Sequence, residues 1–268
     1  MAVEGVQELV ASCVYPVHDG ISIRISDPDA VIARRTSVEL LLSNHNRNCQ
    51  ECYKNGDCEL LEVAHLVMAR PHFYGGSQTP STYDKVAPSI IRDTSKCILC
   101  GRCIEACKDA QGIGILGFEK RGFNTFVAPS GNRSFADSPC LQCGQCINVC
   151  PTSALMEHSQ IDILDEMIKQ KKKIIVQVAP AVRAAIGEEF GMKIGTSCTG
   201  KMVAALHRLG FYRVFDTNFG ADLTIMEEAH ELLERLTKKE GPLPMITSCS
   251  PGWVNYCEYY YPELIPHL

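Results

Sequence analysis

The sequence lacks the features that would assign it quickly. No stretch approaches the roughly 18 uninterrupted apolar residues of a membrane span, and the first residues carry no apolar run of the signal-peptide type. There is no excess of positive charge: the formal net charge is −5. That balance argues against nucleic acid or an anionic membrane surface as the main partner. The remainder is ordinary for a soluble globular protein, with 46% hydrophobic and 21% charged residues. A length of 268 residues leaves room for about two domains at roughly 100–200 residues each.

Cysteine is the exception. There are 15, of which eleven lie between Cys49 and Cys150 in short CxxC-type spacings. A secreted disulfide scaffold is usually short and carries an export signal, so this pattern points to metal. The first group reads His45-x3-Cys49-x2-Cys52-x5-Cys58, with Asn55 and Gly56 suited to a tight loop. Four such donors suit either a zinc ion or an iron–sulfur cube. The second group is Cys97-x2-Cys100-x2-Cys103-x3-Cys107, and 32 residues later Cys140-x2-Cys143-x2-Cys146-x3-Cys150-Pro151. This is the bacterial ferredoxin run in two copies, in which three close thiolates hold one cube and the fourth cysteine crosses to the other. The spacing therefore predicts one 4Fe–4S cluster on Cys97, Cys100, Cys103 and Cys150. A second is expected on Cys140, Cys143, Cys146 and Cys107. With the His45 site, the chain is expected to hold three 4Fe–4S clusters acting as one-electron carriers. Imidazole removes one negative charge from the first site, which should raise its potential as in histidine-ligated Rieske centres.

Around these runs the pattern is mixed. Residues 1–31 look β-rich, with VHDGISIRI as strand residues after a turn at Asp19-Gly20. Residues 32–43 look helical and lead to His45. Residues 89–158 make the two-cluster module, with a hairpin expected between its cysteine runs. Residues 158–173 read as an amphipathic connecting helix whose lysine run is a solvated end. From Lys173 the character changes. KIIVQVAP (173–180) reads as a buried strand, followed by a helix beginning in AVRAAIGEEF and another at 201–210. A strand at 212–217, a helix at 223–241 stopped by Gly241-Pro242, and a third short strand at 244–249 complete the series. Strands alternating with helices predict a parallel α/β sheet. The loop Cys249-Ser250-Pro251-Gly252-Trp253 is expected at its carboxyl edge, where such sheets place functional groups.

The segments APAVRAAIGEEF, VFDTNFGADLTIMEEAHEL and TSCSPGW, together with the cysteine runs, resemble the FeFe (iron-only) hydrogenases along essentially the whole chain. The fold class implied is α+β ferredoxin-like iron–sulfur modules followed by the first part of an α/β catalytic domain. Residues 1–44 would be the remainder of a 2Fe–2S ferredoxin domain plus a linking helix. Residues 45–88 would be an iron–sulfur module with one histidine and three cysteine ligands. Residues 89–160 would be the two-cluster domain and 161–268 the N-terminal part of the catalytic domain. The resemblance further implies a chain cut at both ends. Cys13 matches the last ligand of a 2Fe–2S cluster, and the family's Met-Pro-Cys and downstream Cys-x3-Cys motifs do not appear. The 2Fe–2S cluster and the six-iron H-cluster would then belong to the full-length protein, leaving this chain alone inactive.

By the same resemblance, Glu228, Glu231 and Cys249 match the family's proton path to the H-cluster. Glu228 and Glu231 stand three apart on one helix and so face the same way. A thiol suits the last step because its pKa, near 8.5, is tunable. Cys249 and Ser250 fall on the cofactor-binding loop, where the family reads Thr-Ser-Cys-Cys-Pro-Gly-Trp. Serine at the ligand position is a harder, less acidic donor. Three outcomes are open: Cys249 becomes the ligand, Ser250 binds as an alkoxide, or the chain belongs to a subgroup with altered activity. Cys198 and Cys257 are expected to be buried structural thiols. His65, His72, His158, His207 and His230 show no cluster pattern, and Trp253 is expected to pack the loop.

The function implied is electron relay to an H-cluster for reversible reduction of protons to hydrogen. Electrons would come from ferredoxin or a nicotinamide-oxidising partner subunit, with no nucleic acid and no membrane span involved. Thiolate ligands and the missing export segment suggest the cytoplasm. The competing class is a non-catalytic electron-relay subunit of the NADH:quinone oxidoreductase or formate dehydrogenase type, which shares the N-terminal cluster arrangement. A sensory homologue is the third.

Overall fold

A two-residue antiparallel ladder comes first. β1 (Ala2–Val3) pairs with β2 (Ile23–Arg24), so only a fraction of VHDGISIRI forms strand. In the computed structural model, which describes residues 1–239 and 241–268, Asp27 and Pro28 then set the first long helix. Asp27 Oδ1 accepts hydrogen bonds from the N–H groups of Asp29 and Ala30, and Pro28 occupies the first turn. Both are start signals. They move the origin of α1 (Pro28–Asn44) four residues ahead of the expected one.

α1 buries Val38 and Leu42 against Leu60 and Ala64 of α2 (Glu59–Leu66). Behind this seam Glu39 is buried and accepts three bonds from Arg70: from its N–H at 2.9 Å, Nε at 2.8 Å and Nη2 at 3.1 Å. Next come β3 (Tyr83–Asp84), β4 (Ile90–Asp93) and α3 (Arg102–Glu105). The hairpin expected between the cysteine runs is present as β5 (Leu116–Glu119) and β6 (Phe126–Pro129), paired Leu116↔Pro129 through Glu119↔Phe126. α4 (Gln145–Asn148) and β7 (Leu155–Glu157) close the unit, with β7 on the far edge of an antiparallel sheet ordered β3-β4-β7. The core joins Ile90, Leu116, Val127, Phe135 and Leu155 to the buried Cys140, Cys146 and Cys150.

Residues 1–158 form one compact unit and 159–268 another. The second contains α5 (Ile161–Lys169), β8 (Ile175–Val178), α6 (Val182–Ala185), α7 (Thr199–Leu209), β9 (Arg213–Asp216), α8 (Thr217–Lys238) and α9 (Pro251–Tyr260). β8 and β9 are parallel, in the register Ile175↔Arg213 to Val178↔Asp216. Two expectations fail here. The 173–180 strand is not buried, since Ile175 is 62% exposed; a parallel strand is buried only when covered on both faces, and this sheet has two strands among the described residues. Residues 244–249 form no strand; they run irregularly, tied by the Ile246 N–H to the His267 carbonyl at 2.7 Å. The Cys249–Trp253 segment therefore lies at the start of α9 rather than at a strand end. Arg235, buried, gathers this end of the unit by donating to Glu231 and to the carbonyls of Pro242, His267 and Leu268.

The hydrogen bonds from Arg70 hold the Glu39 carboxyl below its ordinary value of 4.5. A depressed carboxyl stabilises the fold above its unfolded pKa, and that contribution disappears as pH falls through the folded value. Glu39→Gln should lower the melting temperature at neutral pH and flatten its fall on acidification below pH 4.5. Parallel melting curves for both proteins across that range would rule the assignment out.

Candidate metal centres

The two ferredoxin-type runs adopt one backbone. In each, the residue two after the first cysteine takes positive φ: Leu99 at 58° and Gln142 at 57°. This turns its N–H back onto the first sulfur, at 3.4 Å for both Cys97 Sγ and Cys140 Sγ. Gly101 (φ 78°) and Gly144 (φ 74°) then take the left-handed conformation that starts α3 and α4. Non-glycine residues at positive φ are uncommon, so finding Leu99 and Gln142 there marks a loop shaped to point amides at sulfur.

Each run surrounds a cavity together with one cysteine from the other run. Cys97, Cys100, Cys103 and Cys150 line the first, with Arg92, Thr94, Ile98, Leu116, Thr152 and Leu155. Cys107, Cys140, Cys143 and Cys146 line the second, with Ile90, Ile113, Ile115, Leu116 and Phe135. The volumes, about 30 and 20 Å³, exceed the roughly 10–15 Å³ that one water needs. Leu116 borders both, so the cavities are neighbours across one side chain. Burial pushes Cys97 up to about 11 and Cys103 up to about 12, with further pressure from the thiolates around them. Burial likewise raises Cys140 and Cys146. Cys100 and Cys143 are the exposed corners.

This donor set suits a polynuclear cluster. Among the described residues no three His, Cys, Asp or Glu side chains converge tightly enough for a single metal ion. Four thiols spaced around a cavity match a cube, in which each sulfur meets a different iron. Two amide donors already aim at sulfur, which is how a protein tunes such a group.

The third set lies on one continuous stretch. His45 caps α1 in extended conformation, Cys49 and Cys52 bracket a single turn closed by the Cys52 N–H on the Cys49 carbonyl, and Cys58 opens α2. His45 is 6% exposed and its Nδ1 is buried with no hydrogen-bond partner. Burial, with Lys96 adding, lowers its pKa to about 4, so the ring is neutral and keeps a lone pair for a ligand.

Residues absent from any motif tie this stretch to the first cavity. Lys96, buried, donates to the Asn46 carbonyl at 2.9 Å, and the Thr152 hydroxyl donates to the Lys96 carbonyl at 2.7 Å. Cys52 Sγ lies 2.9 Å from Ser153 Oγ. The one sequence signal is polarity at places a core should occupy: Lys96 beside a ligand cysteine, and Thr152-Ser153 after Pro151. Arg92 gives a similar signal, two residues after Ile90 on the buried face of β4.

The remaining predicted residues lie in the second unit. Glu228 and Glu231 sit on α8, half-buried and exposed respectively. Glu231 is ion-paired with Arg235. Cys249 is exposed, and Ser250 occupies the N-cap position of α9 without a side-chain capping bond. Cys198 and Cys257 are buried.

Residues 172–268 match the iron-only hydrogenase large subunit, C-terminal domain. Residues 34–69 match the NADH-ubiquinone oxidoreductase-G iron-sulfur binding region, and 96–154 a 4Fe-4S dicluster domain. The chain is 46% identical to the NADP-reducing hydrogenase subunit HndD of Solidesulfovibrio fructosivorans, over 98% of this chain and 46% of that one. It is 41% identical to iron hydrogenase 1 of Clostridium pasteurianum, over 97% of this chain and 46% of that one. It thus spans about half the length of the curated relatives it matches. A solved NAD+-reducing [NiFe]-hydrogenase superposes with TM-score 0.55 at 26% identity, covering 59% of this chain and 67% of that one.

The shared loop geometry makes a direct prediction. Gly144→Ala adds a Cβ that meets nothing within 4 Å, and Gly101→Ala one that touches only the Phe118 ring at 3.6 Å. Each should therefore cost chiefly the left-handed strain, about 1–2 kcal/mol. Denaturant titration of the two variants should give similar losses; a neutral Gly144→Ala would show that the loop does not depend on this turn.

Proposed function

The chain is a homologue of the iron-only hydrogenases, and we propose that it carries electrons through three 4Fe–4S clusters toward a catalytic H-cluster that interconverts protons and hydrogen. The observation that supports this most is the pair of adjacent cavities, each ringed by four cysteines drawn from both runs. Cys97, Cys100, Cys103 and Cys150 would hold one cluster, and Cys107, Cys140, Cys143 and Cys146 the second. His45, Cys49, Cys52 and Cys58 would hold the third. When bound, these groups supply one-electron storage.

The protein's own part is to set their surroundings. The Leu99 and Gln142 amides donate to ligand sulfurs, the apolar walls exclude water, and the exposed Cys100 and Cys143 leave each centre one corner for exchange. Lys96 and the Thr152-Ser153 pair make the path between the His45 stretch and the first cavity continuous. In the second unit, Glu228 and Glu231 would pass protons along α8 and Cys249 would deliver them. Cys249 and Ser250 would flank the H-cluster, with Ser250 in place of the family's ligand cysteine. Likeness to an NADP-reducing and an NAD+-reducing hydrogenase favours a nicotinamide-dependent subunit as the electron partner, with ferredoxin the other candidate. No described helix is long and apolar enough to cross a membrane. Free thiolate ligands suit a reducing compartment, for which the cytoplasm is our reading.

Anaerobic reconstitution of the chain should give four irons and four sulfides at each of the three sites. Cys100→Ser should lose one centre's iron and lower the melting temperature with it, because ligand binding and folding are coupled. Unchanged iron and melting temperature would remove Cys100 from the ligand set. Hydrogen production by the full-length protein after H-cluster insertion tests catalysis separately. There, Glu228→Gln and Cys249→Ala should each cut turnover by about 10²-fold or more while iron content stays constant. A full-length protein whose clusters reduce fully with dithionite but which never turns over hydrogen would be an electron carrier only.

A further inference from the structure

The two ferredoxin-type centres share a backbone but not an electrostatic environment. β4 presents alternate residues to the core, and the two that point inward face different cavities: Ile90 lines the second and Arg92 the first. Arg92 is 2% exposed. Its Nη1 donates to the Val127 carbonyl at 3.2 Å and to Asn132 Oδ1 at 3.0 Å, while its Nε is buried with no partner. The nearest carboxylate, Asp84 across the strand pair, is 3.9 Å from Nη2. Asp84 is already engaged by the Val86 and Phe135 N–H groups and the Ser134 hydroxyl. It lines neither cavity, although Phe135, whose N–H it accepts, lines the second. A guanidinium buried beside a single long ion pair is costly. An anionic cluster in the cavity that Arg92 lines would offset that cost and give Nε–H an acceptor.

We propose that Arg92 sets the order of reduction of the two centres, holding the potential of the one on Cys97, Cys100, Cys103 and Cys150 above that of the one on Cys107, Cys140, Cys143 and Cys146. The inference rests on the cluster reading given above. Each cube gains one negative charge when it accepts an electron, so a fixed cation and an N–H donor on its wall favour the reduced form. The second cavity has Ile90 in the equivalent place, and Asp84 lines neither cavity, its carboxylate accepting the N–H of Phe135 on the second cavity's wall. An electron entering the pair therefore rests on the Arg92 side.

EPR-monitored redox titration of the reconstituted chain, with dithionite as reductant, reads the two centres separately. Cys100→Ser and Cys143→Ser each alter one signal and so label it. At the potential where the first centre is half reduced in the native chain, Arg92→Gln should lower its reduced-to-oxidised ratio at least tenfold, about 59 mV for a one-electron couple. The second centre should move less. Arg92→Lys, which keeps the charge, should stay near the native midpoint, and Asp84→Asn should shift the first centre upward. Where Arg92→Gln leaves Asp84 stranded and the protein fails to fold, Asp84→Asn/Arg92→Gln removes both charges and should still lower the first midpoint relative to the second. Equal shifts of both centres, or none with both clusters present by iron analysis, would overturn the role of Arg92. A native chain that takes up no cluster iron would instead overturn the cluster reading.

Discussion

The first unit depends on cysteines placed where other domains put aliphatic side chains. Cys140, Cys146 and Cys150 are buried in the central core, and Cys97, Cys103 and Cys107 pack against it beside Ile90, Leu116 and Phe135. Burial, with neighbouring thiolates adding to it, drives several of these thiols far above their ordinary pKa. Without iron the core would contain neutral thiols around voids, and with iron it would contain thiolates neutralised by the metal. Void walls lose contacts outright, so an apo unit would be underpacked at its centre. The same residues that bind would also complete the fold, which makes assembly and folding one event.

The fixed features around that core are polar and few. Lys96 bonds Asn46 and Thr152, and Ser153 meets Cys52, so the short segment after Cys150 touches both the His45 stretch and the first cavity. Movement at either place must pass through these bonds. A single buried segment that bonds both to the His45 stretch and beside the first cavity leaves Thr152 and Ser153 nearly inaccessible although they are polar. Their hydrogen bonds satisfy groups that would otherwise be costly to bury.

Much of this is legible in the sequence because thiolate spacing is a hard constraint. The double run requires its loops to wrap, and the hairpin between them follows from the 32 residues available. Helix signals are nearly as clear, although the start at Asp27-Pro28 emerges only with the structure. What the sequence conceals is burial and pairing in the second unit. An apolar run such as KIIVQV indicates a strand but not what covers it, and Ile175 faces solvent. PMITSC has strand-like composition, yet pairing is a tertiary property, and its backbone finds the C-terminal segment instead. Arg92 and Lys96 are hidden for a different reason: their polarity stands out only once their positions are known to be buried. Only packing against the cysteine core gives those residues their meaning.

The second unit is held differently, and this bears on its glutamates. Its buried set is small, with Ile174, Cys198, Met202, Phe211, Arg235 and Cys257, while Leu223, Ile225, Met226 and Leu233 along α8 remain exposed. Arg235 supplies much of the order by bonding Glu231 and three carbonyls near Cys249's segment. A carboxylate fixed to a guanidinium is a poor proton carrier, because protonation must first break the pair. For Glu231 to relay protons, Arg235 must keep its carbonyl partners while Glu231 turns toward Glu228, one helical turn away on the same face. The i,i+4 spacing of Glu231 and Arg235 permits this, since both side chains are long and only one of Arg235's four partners is lost. The hub can therefore hold the loop end in place while the carboxylate is released. That would separate the positioning task of Arg235 from the proton-carrying task proposed for Glu231.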